Sequence, residues 1–286
     1  MHDASGRIHP FWRVVAFAAI TLGSFLVIEG TTGFLLLGGI PLAGGGSLSS
    51  NTWTTCAALL AGTGLTLYAI GREPWSEVWL DRRAARPGAI GFGFALGALG
   101  IGVPTVALIG IHWLGAVRGD PTSWLGGAWR VSVVLLPAAL AEELLARGYM
   151  LSVLSKWWGW PWAIATTSLA FGALHMANPG ATPESIALVT IAGVFLSAVL
   201  YATRSLYAAW AAHFAWNWTM AVAFHVAVSG LPLESPGYRY VDAGPDWATG
   251  GSWGPEAGLP AAVTMIAGSV WLFSRRGRTR RTTGES

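Results

Sequence analysis

The sequence contains few charged residues for its length. Only 11% of its 286 residues are Asp, Glu, Lys or Arg, whereas soluble globular domains average about 25%. This is too little charge to cover the surface of a 30.1 kDa globule, so a water-soluble enzyme is excluded. Because 53% of the residues are hydrophobic, an intrinsically disordered chain is excluded as well, since disorder requires low hydrophobicity.

Cysteine is also scarce. The single residue, Cys56, excludes a disulfide framework and a cysteine-rich metal cluster. The sequence pI is about 9.3, but the basic residues are dispersed or confined to a short tail at 274–286 and form no stripe, so we expect no nucleic-acid binding. The sequence shows no internal repeat and no second, soluble domain.

Long apolar runs are what the sequence has in abundance. A helix needs about 20 mainly apolar residues to cross roughly 30 Å of hydrocarbon, and eight runs fit between charges and turn signals. The sequence therefore predicts an all-α, polytopic membrane protein with about eight transmembrane helices, built as a single membrane domain over 1–286. The predicted spans are Arg13–Leu37, Thr52–Ile70, Ala89–Leu114, Val131–Met150, Trp160–Met176, Ile186–Tyr201, Leu206–Val228 and Leu259–Phe273.

Lys and Arg are distributed unevenly between alternate connecting segments. With eight spans, fourteen of the 17 fall on one side, and only Arg118, Arg130 and Arg239 fall on the other. Cytoplasmic segments of membrane proteins are enriched in Lys and Arg. Both termini are therefore predicted to be cytoplasmic, in a multi-pass protein of the cell membrane, and the 274–286 tail is expected to be a basic cytoplasmic anchor at the lipid surface.

Ionisable side chains inside the predicted spans are the candidate functional residues, because a charge in hydrocarbon is costly unless it is paired or faces a cavity. Glu29, His112 and His225 lie near interruptions or outer ends of their spans and are expected to be interfacial or structural. The fourth span differs, since Glu142, Glu143 and Arg147 fall within two turns of an otherwise apolar helix.

The spacing of these three charges predicts one held carboxylate and one free carboxylate. Glu143 and Arg147 are four residues apart with the acid nearer the N-terminus, which is the favoured geometry for an ion pair on one helix face. Glu142 projects about 100° away and is free to face a cavity, where it could act as a general base. A purely structural triad that locks helices together is the alternative.

Two other spans each carry a polar pair on one helix face. Phe171 and His175 are four residues apart in the fifth span, and His213 and Asn217 are four apart in the seventh. A lone intramembrane histidine is more often a hydrogen-bonded core residue than a catalyst. Together with Glu142, however, these side chains could organise one water molecule and one carbonyl group in a pocket lined by three helices.

The three motifs resemble those of the CPBP family, which comprises the CAAX prenyl endopeptidases of the second type and bacterial relatives linked to bacteriocin self-immunity. The family pattern Glu-Glu-x-x-x-Arg, Phe-x-x-x-His and His-x-x-x-Asn occurs here in that order within 131–228, the predicted motif-bearing catalytic core. The resemblance implies an intramembrane endopeptidase. It implies that Glu142 and His175 activate the attacking water and that His213 and Asn217 stabilise the oxyanion. For Glu143 and Arg147 it implies that they position the first carboxylate and also the carboxyl terminus of the substrate.

The resemblance also implies a peptide or protein substrate with a hydrophobic or lipidated C-terminal region, such as a prenylated CAAX terminus, reached from the bilayer through a cavity open to the cytoplasmic leaflet. No cofactor is expected, because water activation needs only one base near the attacked carbonyl. Zinc bound by the same Glu/His cluster is the alternative, although no His-Glu-x-x-His motif occurs. A non-catalytic immunity protein and a proton-coupled transporter are the alternatives from other classes.

Overall fold

The computed structural model describes residues 8–37, 47–118, 124–233 and 238–283. Most of them are helical, as the prediction of an all-α protein requires. A small sheet of two short strands is added to the helices. The α-helices are α1 (Pro10–Leu37), α2 (Ser47–Thr66), α3 (Pro87–Gly110), α4 (Trp124–Glu143), α5 (Tyr149–Trp158), α6 (Trp160–Leu174), α7 (Pro183–Thr203), α8 (Leu206–Trp218), α9 (Asp246–Thr249) and α10 (Leu259–Thr283), and the strands are β1 (Leu114–Arg118) and β2 (Tyr238–Asp242).

Each of the eight predicted spans coincides with a helix. Three π-helical segments lengthen the helices: Leu67–Gly71 follows α2, Leu144–Gly148 joins α4 to α5 in one continuous rod, and Thr219–Phe224 follows α8. By length and composition, five described helical segments can cross a membrane. The total of eight spans and the side of the termini stay predictions. The five segments are Pro10–Gly33, Asn51–Gly71, Pro87–Gly110, Trp124–Trp158 and Pro183–Thr203.

The structure corrects several predicted span ends. The third span was expected to reach Leu114, but α3 ends at Gly110 because His112 adopts a left-handed φ of 60°. Leu114 then begins β1, which pairs antiparallel with β2. The fourth span was expected to end at Met150. It continues to Trp158, because the apolar face of α5 is buried in the bundle.

The seventh span was expected to end at Val228, but its helical segment ends at Phe224, before the left-handed His225 with φ 50°. The eighth was expected to end at Phe273, whereas α10 continues to Thr283.

The helices bury two adjoining apolar cores. One core joins α3, α4, α7, α8 and α10, and the other joins α1, α2, α5 and α6. The outward faces are apolar too, as shown by the exposed Leu22, Leu26 and Val27 of α1. A helix that is apolar on all sides is typical of a lipid environment, so this surface fits a membrane protein.

The bundle has a basic end, which we define by the 72–86 connection, the α5–α6 turn at Gly159 and the α7–α8 turn at Arg204. Contacts bring these segments together. Lys156 pairs with Glu77, the Arg86 guanidinium donates to the Thr203 carbonyl at 2.7 Å, and the Ser205 hydroxyl donates to the Ala84 carbonyl at 2.6 Å. Gly159 has φ 80° and ψ 164°, a conformation that is essentially confined to glycine. It therefore permits a one-residue turn between two long helices.

The opposite end, which we call the capped end, consists of the two-stranded sheet and the segments 175–182, 226–233 and 243–258. The Asn178 side chain donates to the Ser229 carbonyl at 2.9 Å, and the Gly230 N–H donates to the Trp253 carbonyl at 3.1 Å. These bonds satisfy backbone groups that would otherwise lie unpaired above the helices. The connections at this end thereby form a folded cap.

Helix α8 is held against α3 at very short range. A Cβ atom added to Gly93 or Gly97 of α3 would overlap the carbonyl group of Ala208 or Ala212 of α8, respectively. Small residues at such spacing allow helix backbones in membranes to approach closely. This contact fixes the position of His213, the residue that follows Ala212.

Candidate active site

Glu143 and Arg147 form the buried ion pair that their spacing predicts. Arg147 donates from one terminal nitrogen to Glu143 Oε1 at 3.0 Å, and both side chains are 0% exposed. The guanidinium carbon also lies 4.1 Å from the centroid of the Phe171 ring, a cation–π contact. Arg147 therefore links α4 to α6 beneath the site, away from solvent.

The same oxygen of Glu143 also orients His213. His213 Nδ1 lies 2.8 Å from Glu143 Oε1, although the two residues are 70 positions apart in the chain. The carboxylate is an acceptor, so Nδ1 carries the proton and donates it. This leaves Nε2 of His213 directed at Glu142.

The orientation of His175 is set by its own helix. Its Nδ1 lies 2.8 Å from the carbonyl oxygen of Phe171, one turn earlier. A carbonyl oxygen can only accept, so Nδ1 is the donor and Nε2 of the neutral ring is an acceptor. His175 stands where α6 ends and the 3₁₀ turn His175–Ala177 begins, which places the ring at the border between the helices and the cap.

Glu142 is the point at which the two imidazoles converge. Its Oε2 lies 3.8 Å from Nε2 of His175 and 3.8 Å from Nε2 of His213. These separations exceed a direct hydrogen bond, and Oε2 itself is buried with no hydrogen-bond partner among the described residues. A buried polar atom in this position requires a partner, which a water molecule would supply. The side chain of Glu142 is 38% exposed, in contrast to its buried neighbour Glu143. The predicted division between a held and a free carboxylate is therefore present in the geometry.

A cavity of about 240 Å³ opens in front of these groups. A smaller cavity of about 30 Å³ is lined by residues of α6, α7, α8, α10 and the cap, and this is room for one or two waters. Asn217, His175 and His213 line both cavities. The walls of the larger cavity are otherwise mainly apolar, and they include Val134, Leu135, Ala138, Leu145, Leu174, Leu231 and Leu233.

Glu142, His175 and His213 are also the residues that would hold a zinc ion. In the part of the chain that the structure describes, no three His, Cys, Asp or Glu side chains are grouped as a metal site. Zinc activation of the water therefore stays an alternative, which chelation tests.

The other intramembrane candidates lie outside the larger cavity. Glu29 accepts a hydrogen bond of 2.6 Å from Thr54 of α2, a partner that the sequence analysis did not identify. His112 is exposed in the turn that follows α3. The His225 ring is buried, with its centroid 4.5 Å from that of Tyr238.

Glu256 is a residue that the sequence analysis missed. Only 8% of it is exposed, and it lines the smaller cavity beside His213 and Asn217. One oxygen accepts from Trp216 Nε1 at 3.1 Å, and the other accepts from the N–H and the hydroxyl of Ser229, both at 2.7 Å. Glu256 is buried because the segment that carries it folds back over the bundle, and no local sequence pattern signals that event.

Comparison with known proteins identifies the segment that carries these groups. Residues 123–219 match the family model described as type II CAAX prenyl endopeptidase Rce1-like. The chain contains an Rce1-like domain. The matched residues include all six predicted site residues, from Glu142 to Asn217, and the match is consistent with the family resemblance of the three motifs. Neither a curated protein nor a solved structure matches the chain.

The Rce1-like domain does not contain the whole cavity. Thr52 of α2 and the segment from Val228 to Leu233 complete its walls, and Glu256 holds Ser229 from outside the matched residues. The segments that flank the domain therefore contribute directly to the candidate site.

Proposed function

We propose that this protein is an intramembrane endopeptidase that hydrolyses a peptide bond with a water activated by Glu142 and His175. The observation that supports it is the convergence of one partly exposed carboxylate and two oriented imidazoles on a cavity inside a helical bundle. The Rce1-like domain supplies the reaction class. The substrate in this proposal is a membrane-associated polypeptide with a hydrophobic region.

In the first step, a water between Glu142 and His175 donates hydrogen bonds to the carboxylate and to His175 Nε2. Glu142 removes one proton as the water oxygen bonds to the carbonyl carbon of the substrate, which places the negative charge on the carbonyl oxygen. Groups that are positioned in advance to face this developing charge lower the barrier. The Asn217 amide supplies N–H donors, and His213, when both its nitrogens are protonated, donates Nδ1–H to Glu143 and Nε2–H to the oxyanion.

In the second step, Glu142 returns its proton to the amide nitrogen as the carbon–nitrogen bond breaks. The products are a carboxylic acid and an amine, and the enzyme is restored. Glu143 and Arg147 act through other groups in this scheme, since neither is exposed. They hold His213 and Phe171, and so they are positioning residues.

The test uses the full-length protein in proteoliposomes with a labelled peptide that has an apolar C-terminal region. We expect Glu142→Gln to lower hydrolysis by about 10²-fold or more, because the amide cannot accept the proton. Glu29→Gln is the matched control, since Glu29 is a carboxylate that lies outside the larger cavity, and it should retain activity. Equal hydrolysis by the wild type and Glu142→Gln would refute the proposal.

Strong chelation distinguishes the two ways of activating water. In our proposal hydrolysis persists after treatment with a chelator. Loss of activity that is restored by added Zn²⁺ would assign the activation to zinc held by the same Glu/His cluster instead.

A further inference from the structure

The larger cavity lies toward the capped end of the bundle. Its walls include His175 at the end of α6, Asn178 in the cap, and Ser229 and Leu231 above α8. Asn178 and Ser229 are hydrogen-bonded to each other in the cap. Thr52 contributes from the first turns of α2, the end of that helix opposite to the basic 72–86 connection. No residue of the basic end, as defined above, lines this cavity.

Charge is concentrated at the other end. The connections of the basic end carry Arg72, Arg82, Arg83, Arg86, Lys156 and Arg204. The capped end carries only Arg118 and Arg239 among its described residues, and Arg130 lies in the early turns of α4. The contacts Lys156–Glu77 and Arg86–Thr203 show that the basic segments adjoin one another in the folded protein. Because Lys and Arg in short connections are retained on the cytoplasmic side, this distribution predicts that the basic end is the cytoplasmic end.

We infer that the active-site cavity opens away from the cytoplasm and that its substrate is a polypeptide segment exposed on the non-cytoplasmic side of the membrane. This inference rests on the proposed function for its chemistry and on the charge distribution for its direction. It runs against the expectation of a cavity open to the cytoplasmic leaflet. A cytoplasmic prenylated C-terminus would meet the basic end of the bundle, and the cavity lies toward the other end.

The cavity wall indicates which part of the substrate it takes. Val134, Ala138 and Leu145 from the α4 rod and Leu231 and Leu233 from the cap all line the cavity. Covering these residues with an apolar side chain of the substrate is favourable, whereas a charged side chain that lies against them would lose its hydration. We therefore assign this wall to an apolar residue next to the scissile bond of an extended segment that emerges from the outer leaflet.

Cysteine accessibility tests the direction of the opening. In a Cys56→Ala background, Leu231→Cys places a thiol in the cavity wall, at a residue that is 39% exposed. Ser76→Cys places the matched control thiol at an exposed position of the basic end. Spheroplasts of a bacterial expression host are treated with a membrane-impermeant maleimide, before and after permeabilisation. We expect Leu231→Cys to be labelled equally in both conditions and Ser76→Cys to be labelled only after permeabilisation. The reverse pattern would overturn the inference.

Vesicles of known orientation separate this inference from the proposed function. An impermeant fluorogenic peptide should be cleaved by right-side-out vesicles and left intact by sealed inside-out vesicles. If the cysteines are labelled as expected but neither vesicle preparation cleaves the peptide, the proposed peptidase activity is refuted. The direction in which the cavity opens would still be supported by the labelling. Hydrolysis by inside-out vesicles alone would refute the direction and support the peptidase.

Discussion

One oxygen of Glu143 accepts hydrogen bonds from both Arg147 and His213. At the scale of single side chains, the ion pair between Glu143 and Arg147 is therefore the interaction to test first. Removing one partner of a buried ion pair costs about 3–5 kcal/mol, because the other charge is left uncompensated. We therefore expect Arg147→Met to lower the unfolding free energy in detergent by about that amount. The exposed Arg130 on the same helix is the control, and Arg130→Met should change stability by no more than about 0.5 kcal/mol.

A double-mutant cycle shows whether the lost stability comes from the interaction between Glu143 and Arg147. Because Glu143→Gln removes the charge that Arg147→Met leaves unpaired, the double variant should be less destabilised than the sum of the two single variants, with a coupling of about 0.5–3 kcal/mol. Additive losses would show that Arg147 stabilises the bundle through Phe171 alone. Hydrolysis should stay low in both variants that lack Glu143, because His213 then loses the carboxylate that fixes its ring.

Glu256 makes a second prediction at the residue scale. Glu256→Ala leaves the donors of Trp216 and Ser229 unpaired, which costs about 1–3 kcal/mol for a buried group. It also frees Ser229, which lines both cavities, so we expect a reduced hydrolysis rate at a temperature where the variant is still folded. The exposed Asp246 lies in the same cap, and Asp246→Ala should match the wild type in thermal unfolding and in hydrolysis.

At the scale of helices, the sequence predicted the contacts that form between residues of the same helix. The spacing of four residues predicted the Glu143–Arg147 pair and the shared face of Phe171 and His175, because the helix repeat alone determines them. It could not predict that His213 would contact Glu143, since that contact depends on how α8 packs against α4. The burial of Glu256 was out of reach for the same reason, because it depends on the path of the cap over the bundle.

The contact between α3 and α8 yields a prediction about helix packing. Gly97→Ala places a methyl group where the Ala212 carbonyl lies, so the helices must separate, at a cost of about 1–3 kcal/mol. Since His213 follows Ala212, hydrolysis should fall together with stability. Gly91 of the same helix faces open space, and a methyl group added there would have no neighbouring atom within 4 Å. Gly91→Ala should therefore leave hydrolysis unchanged and raise stability slightly, because alanine has a higher helix propensity than glycine. Equal losses of stability and hydrolysis in Gly91→Ala and Gly97→Ala would contradict a specific packing effect at Gly97.

At the scale of the whole molecule, composition alone indicated a helical membrane protein, because 11% charged residues cannot cover a soluble globule. The eight apolar runs located every long helix, since uninterrupted apolar length is a property of the sequence. Composition does not reveal the cap, whose two strands pair across more than a hundred residues of chain. That pairing helps to form the end of the bundle toward which the cavity opens.

The cavity combines contributions from α2, the α4 rod, α6, α8 and the cap, so its size is a property of the whole molecule and predicts substrate selection. Ala138 lines the cavity one helical turn before Glu142. Ala138→Trp should fill much of the cavity, whose volume is about 240 Å³. We expect this to raise KM for peptides with a large apolar residue next to the scissile bond. The KM for peptides with alanine at that position should rise less. Leu136 lies on the outer face of the same helix, and Leu136→Trp should leave both KM values unchanged. Steady-state hydrolysis of the two peptides by the three proteins measures this difference; an equal rise in KM for both peptides would show that this wall does not select the substrate side chain.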